Sequence, residues 1–121
     1  MQYMLLIYGD PSGWENVSED DRNAMYAEYG AFTKDLQDKG AMIAGDELQP
    51  TTAATTVRVR NDETLVTDGP FAETKEQLGG YYLIEAETID EAIQWAARIP
   101  SARNGSIEVR PVVMHTAEVT G

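Results

Sequence analysis

No cysteine occurs among the 121 residues. Disulfides, thiol catalysis, zinc–thiolate sites and iron–sulfur clusters are therefore excluded. Histidine occurs once, at His115. It sits in the C-terminal tail, where it is a poor base or ligand. Basic residues are also scarce: nine Lys and Arg stand against 21 Asp and Glu, a formal net charge of −12. Binding DNA or RNA requires cations that displace condensed counterions from phosphates, so nucleic acid is not an expected partner. An anionic membrane surface is disfavoured for the same reason. Solubility is the plain reading of the charge. No apolar run approaches the ~20 residues of a membrane span. The opening MQYMLLIY lacks the basic start and small-residue cleavage site of a signal peptide. The expectation is a cytoplasmic protein with no metal and no cofactor.

What is present reads as one domain over residues 1–121. A chain of this length buries roughly two-thirds of its unfolded surface, so a core of its own is feasible. QYMLLIY at 2–8 predicts a strand ending in the turn cluster Gly9-Asp10-Pro11-Ser12-Gly13. Ser18 is placed as an N-cap, followed by Glu19, Asp20 and Asp21 at the positive end of a helix dipole. Met25, Tyr29, Phe32 and Leu36 then share one helical stripe. Gly40 stops that helix, which is expected near 19–39. Residues 41–48 predict a second strand.

Val57 and Val59 alternate with Arg58 and Arg60, the period of a half-exposed strand. Asn61-Asp62 is a candidate tight turn, so 55–67 predicts a hairpin inserted between core strands. Residues 71–78 are polar and are assigned a helical turn. GGYYLIEA at 79–86 is a strand. Thr88 and Glu91 form a capping box ahead of the apolar positions Ile89, Ala92, Ile93, Ala96 and Ile99. Pro100 ends that helix, and 106–114 predict the last strand, with fraying expected in the tail beyond. No repeat, linker or low-complexity segment is present. The resulting order is α+β: a ferredoxin-like βαββαβ with an inserted hairpin.

Two helices cover only one face of a four-stranded sheet, and the other face should then turn polar. It does not. Tyr3, Leu5 and Ile7 oppose Met4, Leu6 and Tyr8 in the first strand, and Tyr81 and Leu83 oppose Tyr82 and Ile84 in the later one. Both faces are apolar in both strands. A second copy of the sheet is the simplest cover, so a homodimer is expected. The competing cover is the hairpin, whose Arg58 and Arg60 argue against it. Alternation alone leaves open which face meets the partner.

The segment TDGPFAETKEQLGGYY at 67–82 is the most unusual. With MQYMLLIYGD, GDELQP-TTAATTVRVR and the late EVRPV, it resembles DGPF-type proteins of the YCII-related superfamily, over nearly the whole chain. The resemblance implies a dimeric α/β barrel of ferredoxin-like protomers. It implies no assigned reaction. Some members are encoded beside extracytoplasmic-function sigma factors, which implies a regulatory role as one alternative. YCII-type relatives are described with a His/Asp pair. This chain departs from that pattern, since no histidine matches a partner for Asp68.

On their own terms, the candidate site residues are Asp68, Tyr8, Glu73 and Lys75. Asp68 can accept a proton or bind a substrate donor. The alternative is an Asx-type turn residue before Gly69-Pro70 that holds backbone amides. Lys75, between Glu73 and Glu76, can bind an anionic group or simply form a solvated charge run. Tyr8 can offer a phenol to a cleft or lie in an interface. Gly79-Gly80 lacks phosphate-loop spacing and suits a bulge or strand entry. Asp46 and Glu47, with Asp68 and Glu73, match no recognised cation loop. Two functional classes remain: an enzyme or binder acting on a small molecule in a cleft near Asp68, or a non-catalytic dimeric regulatory module.

Overall fold

The structure, a computed structural model, describes residues 1–115. The tail beyond, where fraying is expected, lies outside the described residues. The elements run β1 (Gln2–Gly9), α1 (Pro11–Glu15), α2 (Glu19–Asp38), β2 (Met42–Glu47), β3 (Thr55–Arg60), β4 (Glu63–Asp68), β5 (Gln77–Glu85), α3 (Ile89–Arg98) and β6 (Ser106–Pro111). Short 3₁₀ turns occupy Thr51–Ala53 and Pro100–Arg103.

Four strands form one sheet in the order β2-β5-β1-β6, with every neighbouring pair antiparallel. The fold is α+β with antiparallel sheets, compatible with a ferredoxin-like βαββαβ arrangement. β3 and β4 pair only with each other, as a separate two-stranded sheet. Asn61 and Asp62 at its tip have φ of 51° and 64°. A two-residue type I′ turn requires this left-handed pair, and Asn and Asp tolerate it better than most residues.

Local chemistry sets the helix ends. Ser18 Oγ accepts from the Asp21 amide at 3.1 Å and opens α2. Thr88 Oγ1 accepts from the Glu91 amide at 3.2 Å, while Glu91 Oε2 reaches back to the Glu87 amide. Losing such a cap costs about 1 kcal/mol. Thr88→Ala is therefore expected to lower the unfolding free energy by that much, read as a lower urea midpoint with an unchanged denaturant slope.

The core lies between the sheet and the two long helices. Tyr3 and Leu5 of β1, Phe32 and Leu36 of α2, Tyr82 and Ile84 of β5, and Trp95 and Ile99 are all buried. Phe32 meets the Tyr82 and Trp95 rings edge-on at centroid distances of 5.2 and 6.0 Å. The register sets Leu5 against Tyr82 and Tyr3 against Ile84, so this is the helix-covered face. Leu6 opposite Tyr81 and Met4 opposite Leu83 therefore belong to the uncovered face. The ambiguity between faces is thus resolved: Tyr82 is core, not surface.

Three expectations need correction. The turn cluster after β1 contains the short helix α1, because Pro11 suits the first helical position and Asp10 caps it by accepting from the Ser12 amide at 3.0 Å. Residues 71–76 form no helical turn, and β5 starts at Gln77. In α3 the buried residues are Ala92, Trp95 and Ala96, whereas Ile89 and Ile93 are exposed. Of the five apolar positions expected there, Ala92, Ala96 and Ile99 are buried and Ile89 and Ile93 are not, while Trp95 offers the larger area to bury beside Phe32.

Two backbone features constrain the sheet. Gly79 is the extra residue of a bulge between Gly80, opposite Ile7, and Leu78, opposite Tyr8. Gly105 leads into β6, where an added Cβ would lie 2.2 Å from the Tyr8 carbonyl oxygen. Backbone must move to admit it. Gly105→Ala is expected to cost about 1–3 kcal/mol, the usual range for overpacking, measured by urea denaturation.

Asp35 ties α2 to α3. Its carboxylate accepts from Lys39 Nζ at 2.7 Å and Arg98 Nη2 at 2.6 Å. The Lys39 and then the Arg98 hydrogen bonds hold the Asp35 carboxyl below its usual value. A lowered folded-state pKa means the fold favours the carboxylate. That stabilisation is full above the ordinary aspartate value of 3.8 and is lost as pH falls through the lower folded value. Asp35→Asn should flatten this part of the acid-unfolding curve, by a modest amount because the pair is solvated.

Candidate functional site

The DGPF turn closes the base of the β3–β4 hairpin. Gly69 takes φ +98°, a conformation that L side chains rarely adopt. Its amide donates to the Ala54 carbonyl at 2.7 Å, and its carbonyl accepts from Thr56 Oγ1 at 2.8 Å. Pro70 then fixes the exit direction of the chain. The two ends of the hairpin are thereby locked together, and the chain on either side is held apart by a cleft of about 450 Å³. Its walls are Thr51 and Thr52 before β3, Gly69 and Pro70 after β4, and Glu73, Thr74 and Gln77 leading into β5. The cleft is shallow and largely open to solvent, with Thr52, Glu73 and Thr74 exposed, so it covers only part of a small ligand.

The walls are tied internally. Thr51 Oγ1 donates to Gln77 Oε1 at 2.5 Å, and Gln77 Nε2 donates to the Thr74 carbonyl at 3.3 Å. Thr74 Oγ1 donates to the Glu76 carbonyl at 2.6 Å. Glu76 in turn accepts from Ser106 Oγ at 2.8 Å. The Thr52 hydroxyl and the Glu73 carboxylate make no side-chain hydrogen bond among the described residues. They are the cleft groups with capacity to spare.

The four sequence candidates do not converge. Glu73 is the one that lines the cleft. Asp68 ends β4 opposite Thr55, exposed, with no hydrogen bond to its carboxylate among the described residues. The Gly69 amide is satisfied by the Ala54 carbonyl and the Gly69 carbonyl by the Thr56 hydroxyl, with no part played by the Asp68 carboxylate, so the Asx-type reading does not describe this turn. Lys75 lies near Asp10, whose carboxyl is lowered chiefly by the Ser12 hydroxyl and amide, with Lys75 a minor contributor. Tyr8 lies on the uncovered sheet face, where its hydroxyl donates to Glu108 Oε1 at 3.4 Å.

Asp46 and Glu47 are likewise occupied. Asp46 accepts from the Tyr81 hydroxyl at 2.9 Å and Glu47 from the Tyr26 hydroxyl at 3.1 Å. The Tyr81 phenol is raised above its usual value by that bond. The Tyr26 phenol is raised by burial first and Glu47 second. Among the described residues no three carboxylate or imidazole groups stand close enough to hold a metal ion. His115 is exposed beyond β6.

Thr51, Thr52, Thr74 and Gln77 are cleft residues that sequence reasoning missed. The available signal was the Thr-Thr pair directly after Gln49-Pro50, a turn whose pairing with the DGPF segment becomes visible only once the hairpin closes.

A family model for the YCII-related domain matches residues 1–116. An uncharacterized protein of Rhizobium meliloti (strain 1021) is 39% identical over 117 residues, covering 95% of this chain and 94% of that protein. The chain belongs to the YCII-related domain family.

Proposed function

We propose that the protein is a homodimer that binds a small polar molecule in the cleft beneath the DGPF turn, as a binder rather than a catalyst. The observation that carries this reading is the cleft itself, with tied polar walls and a free carboxylate at Glu73. Glu73 serves as the acceptor for a ligand amine or hydroxyl, with the Thr52 hydroxyl as a second contact. Asp68, one residue outside the cleft wall, adds negative potential at the rim. Together they favour a neutral or cationic ligand over an anion, and Lys75 offsets that preference only at the outer edge. Tyr8 belongs with the dimer face rather than the cleft. No nucleophile with an adjacent general base is assembled among the described residues, which is why binding is preferred to catalysis.

A backbone-amide NMR screen with small amines and polyols tests the proposal. Shifts should cluster at Thr51, Thr52, Gly69, Glu73 and Gln77. Glu73→Gln should weaken the hit by about tenfold or more, as loss of a charge-assisted hydrogen bond does. Asp68→Asn should have a smaller effect. Shifts confined to other surfaces, or a hit indifferent to Glu73→Gln, would reject it.

A further inference from the structure

The β3–β4 hairpin is bonded to the rest of the chain only at its base. Its strands pair with each other and with no other strand. Among the described residues, every hydrogen bond made by 55–68 stays within 54–69, and no ion pair involves them. None of its side chains joins the buried core, and Val57, Val59 and Val66 are 60%, 59% and 64% exposed. Internally the arm is one unit. Six paired positions run from Thr55 opposite Asp68 to Arg60 opposite Glu63. The left-handed Asn61-Asp62 turn closes the tip, and the Gly69 amide on the Ala54 carbonyl closes the base. Two irregular connections, 49–50 and 71–76, join this unit to β2 and β5.

The cleft lies across that junction. Thr51, Thr52, Gly69 and Pro70 adjoin the arm, whereas Glu73, Thr74 and Gln77 lead into β5. Among the described residues one side-chain hydrogen bond crosses from the first wall to the second, from Thr51 Oγ1 to Gln77 Oε1. We infer that the hairpin is a lever that sets the width of the cleft, with the Thr51–Gln77 hydrogen bond as its latch; its use by a ligand rests on the binding reading above. A hinge needs only a few residues at element ends to absorb the change in backbone angles, and the two connections supply them. What opposes opening is one net hydrogen bond, so latched and unlatched arms are both populated. A ligand that touches Thr52 on one wall and Glu73 on the other binds the closed arm better, and it shifts the arm by that difference in affinity alone. Closing the arm supplies the cover that the open cleft lacks.

The absence of cysteine allows paired spin labels. Glu63→Cys near the tip with Ala97→Cys on α3 reports the arm, and Asn23→Cys on α2 with Ala97→Cys reports the body; all three positions are exposed. Labelled chain is diluted into unlabelled chain, so that each dimer carries one labelled copy. Pulsed dipolar spectroscopy should give a broader distance distribution, with a second population, for the arm pair than for the body pair. Thr51→Val should shift the two populations about fivefold toward the unlatched one, as loss of one net hydrogen bond does, while Thr51→Ser keeps the original ratio. An arm pair as narrow as the body pair, or one unmoved by Thr51→Val, would overturn the lever whatever the cleft binds. Tris(hydroxymethyl)aminomethane, an amine and a polyol in one molecule, is the ligand probe. Where it shifts the Thr52 and Glu73 amides it should move the arm pair toward the latched population; amide shifts with an unmoved arm would also overturn the lever. No amide shift would count against the binding reading alone, the lever being decided by the labelled pairs.

Discussion

Leu6→Asp is expected to yield a folded monomer, whereas Leu5→Asp is expected not to fold. The two residues are adjacent in β1 and differ only in the face they occupy. Leu5 is wholly buried against the helices beside Tyr82. An aspartate there would be an unpaired charge in an apolar core, which costs many kcal/mol or forces protonation. That exceeds the ~5–15 kcal/mol by which domains are stable. Leu6 is only half-buried in the single chain and faces away from the helices. Its charge would stay hydrated in a monomer and become costly only when a second sheet covers it. Far-UV circular dichroism and sedimentation velocity on both variants read the contrast. Tyr82→Asp and Tyr81→Asp should repeat it on β5. If both members of a pair unfold alike, or both remain associated, the assignment of faces is wrong.

Phe32→Ala is expected to be the most damaging neutral change, at about 3–5 kcal/mol. Phe32 is where three elements meet. It comes from the stripe of α2, takes the Tyr82 ring from β5 on one side and the Trp95 ring from α3 on the other, and carries Arg98 5.9 Å above its face. Truncation leaves a cavity that the Tyr82 ring is held back from filling, since its hydroxyl pairs with Thr33 Oγ1 at 2.6 Å, while the Trp95 ring lies under the Arg98 guanidinium at 4.9 Å. The thermal midpoint should fall by more than about 10 °C. Leu36→Ala, at the far end of the same stripe, should cost somewhat less, about 2–5 kcal/mol. A loss below about 1 kcal/mol at Phe32 would mean the three elements are not packed around it.

Period and punctuation made most of this legible in the sequence. The stripe Met25, Tyr29, Phe32, Leu36 located α2, the Ser18 and Thr88 caps located helix starts, and alternation located β1 and β5. These signals are local, so a single chain segment contains them. The apolar pattern of α3 was less complete: Ala92, Ala96 and Ile99 are buried as it implies, but Ile89 and Ile93 are exposed and Trp95, outside that set, is buried. The candidate site was less legible for the same reason turned around. Asp68, Tyr8, Glu73 and Lys75 were grouped because they are chemically capable and close to one motif. A site, however, is made by non-local closure: Thr51 reaches Gln77 only because the hairpin between them is pinned by Gly69 and Ala54. Of the four, Glu73 lines the cleft, and β-strand alternation carries Tyr8 onto the uncovered sheet face beside Glu108.

The central claim is that the uncovered sheet face is buried by a second copy. Multi-angle light scattering of the unmodified protein across the micromolar range tests it most directly. The account requires a mass of about twice 13.3 kDa, giving way to 13.3 kDa in Leu6→Asp. A mass of 13.3 kDa for the unmodified chain at every concentration would contradict it.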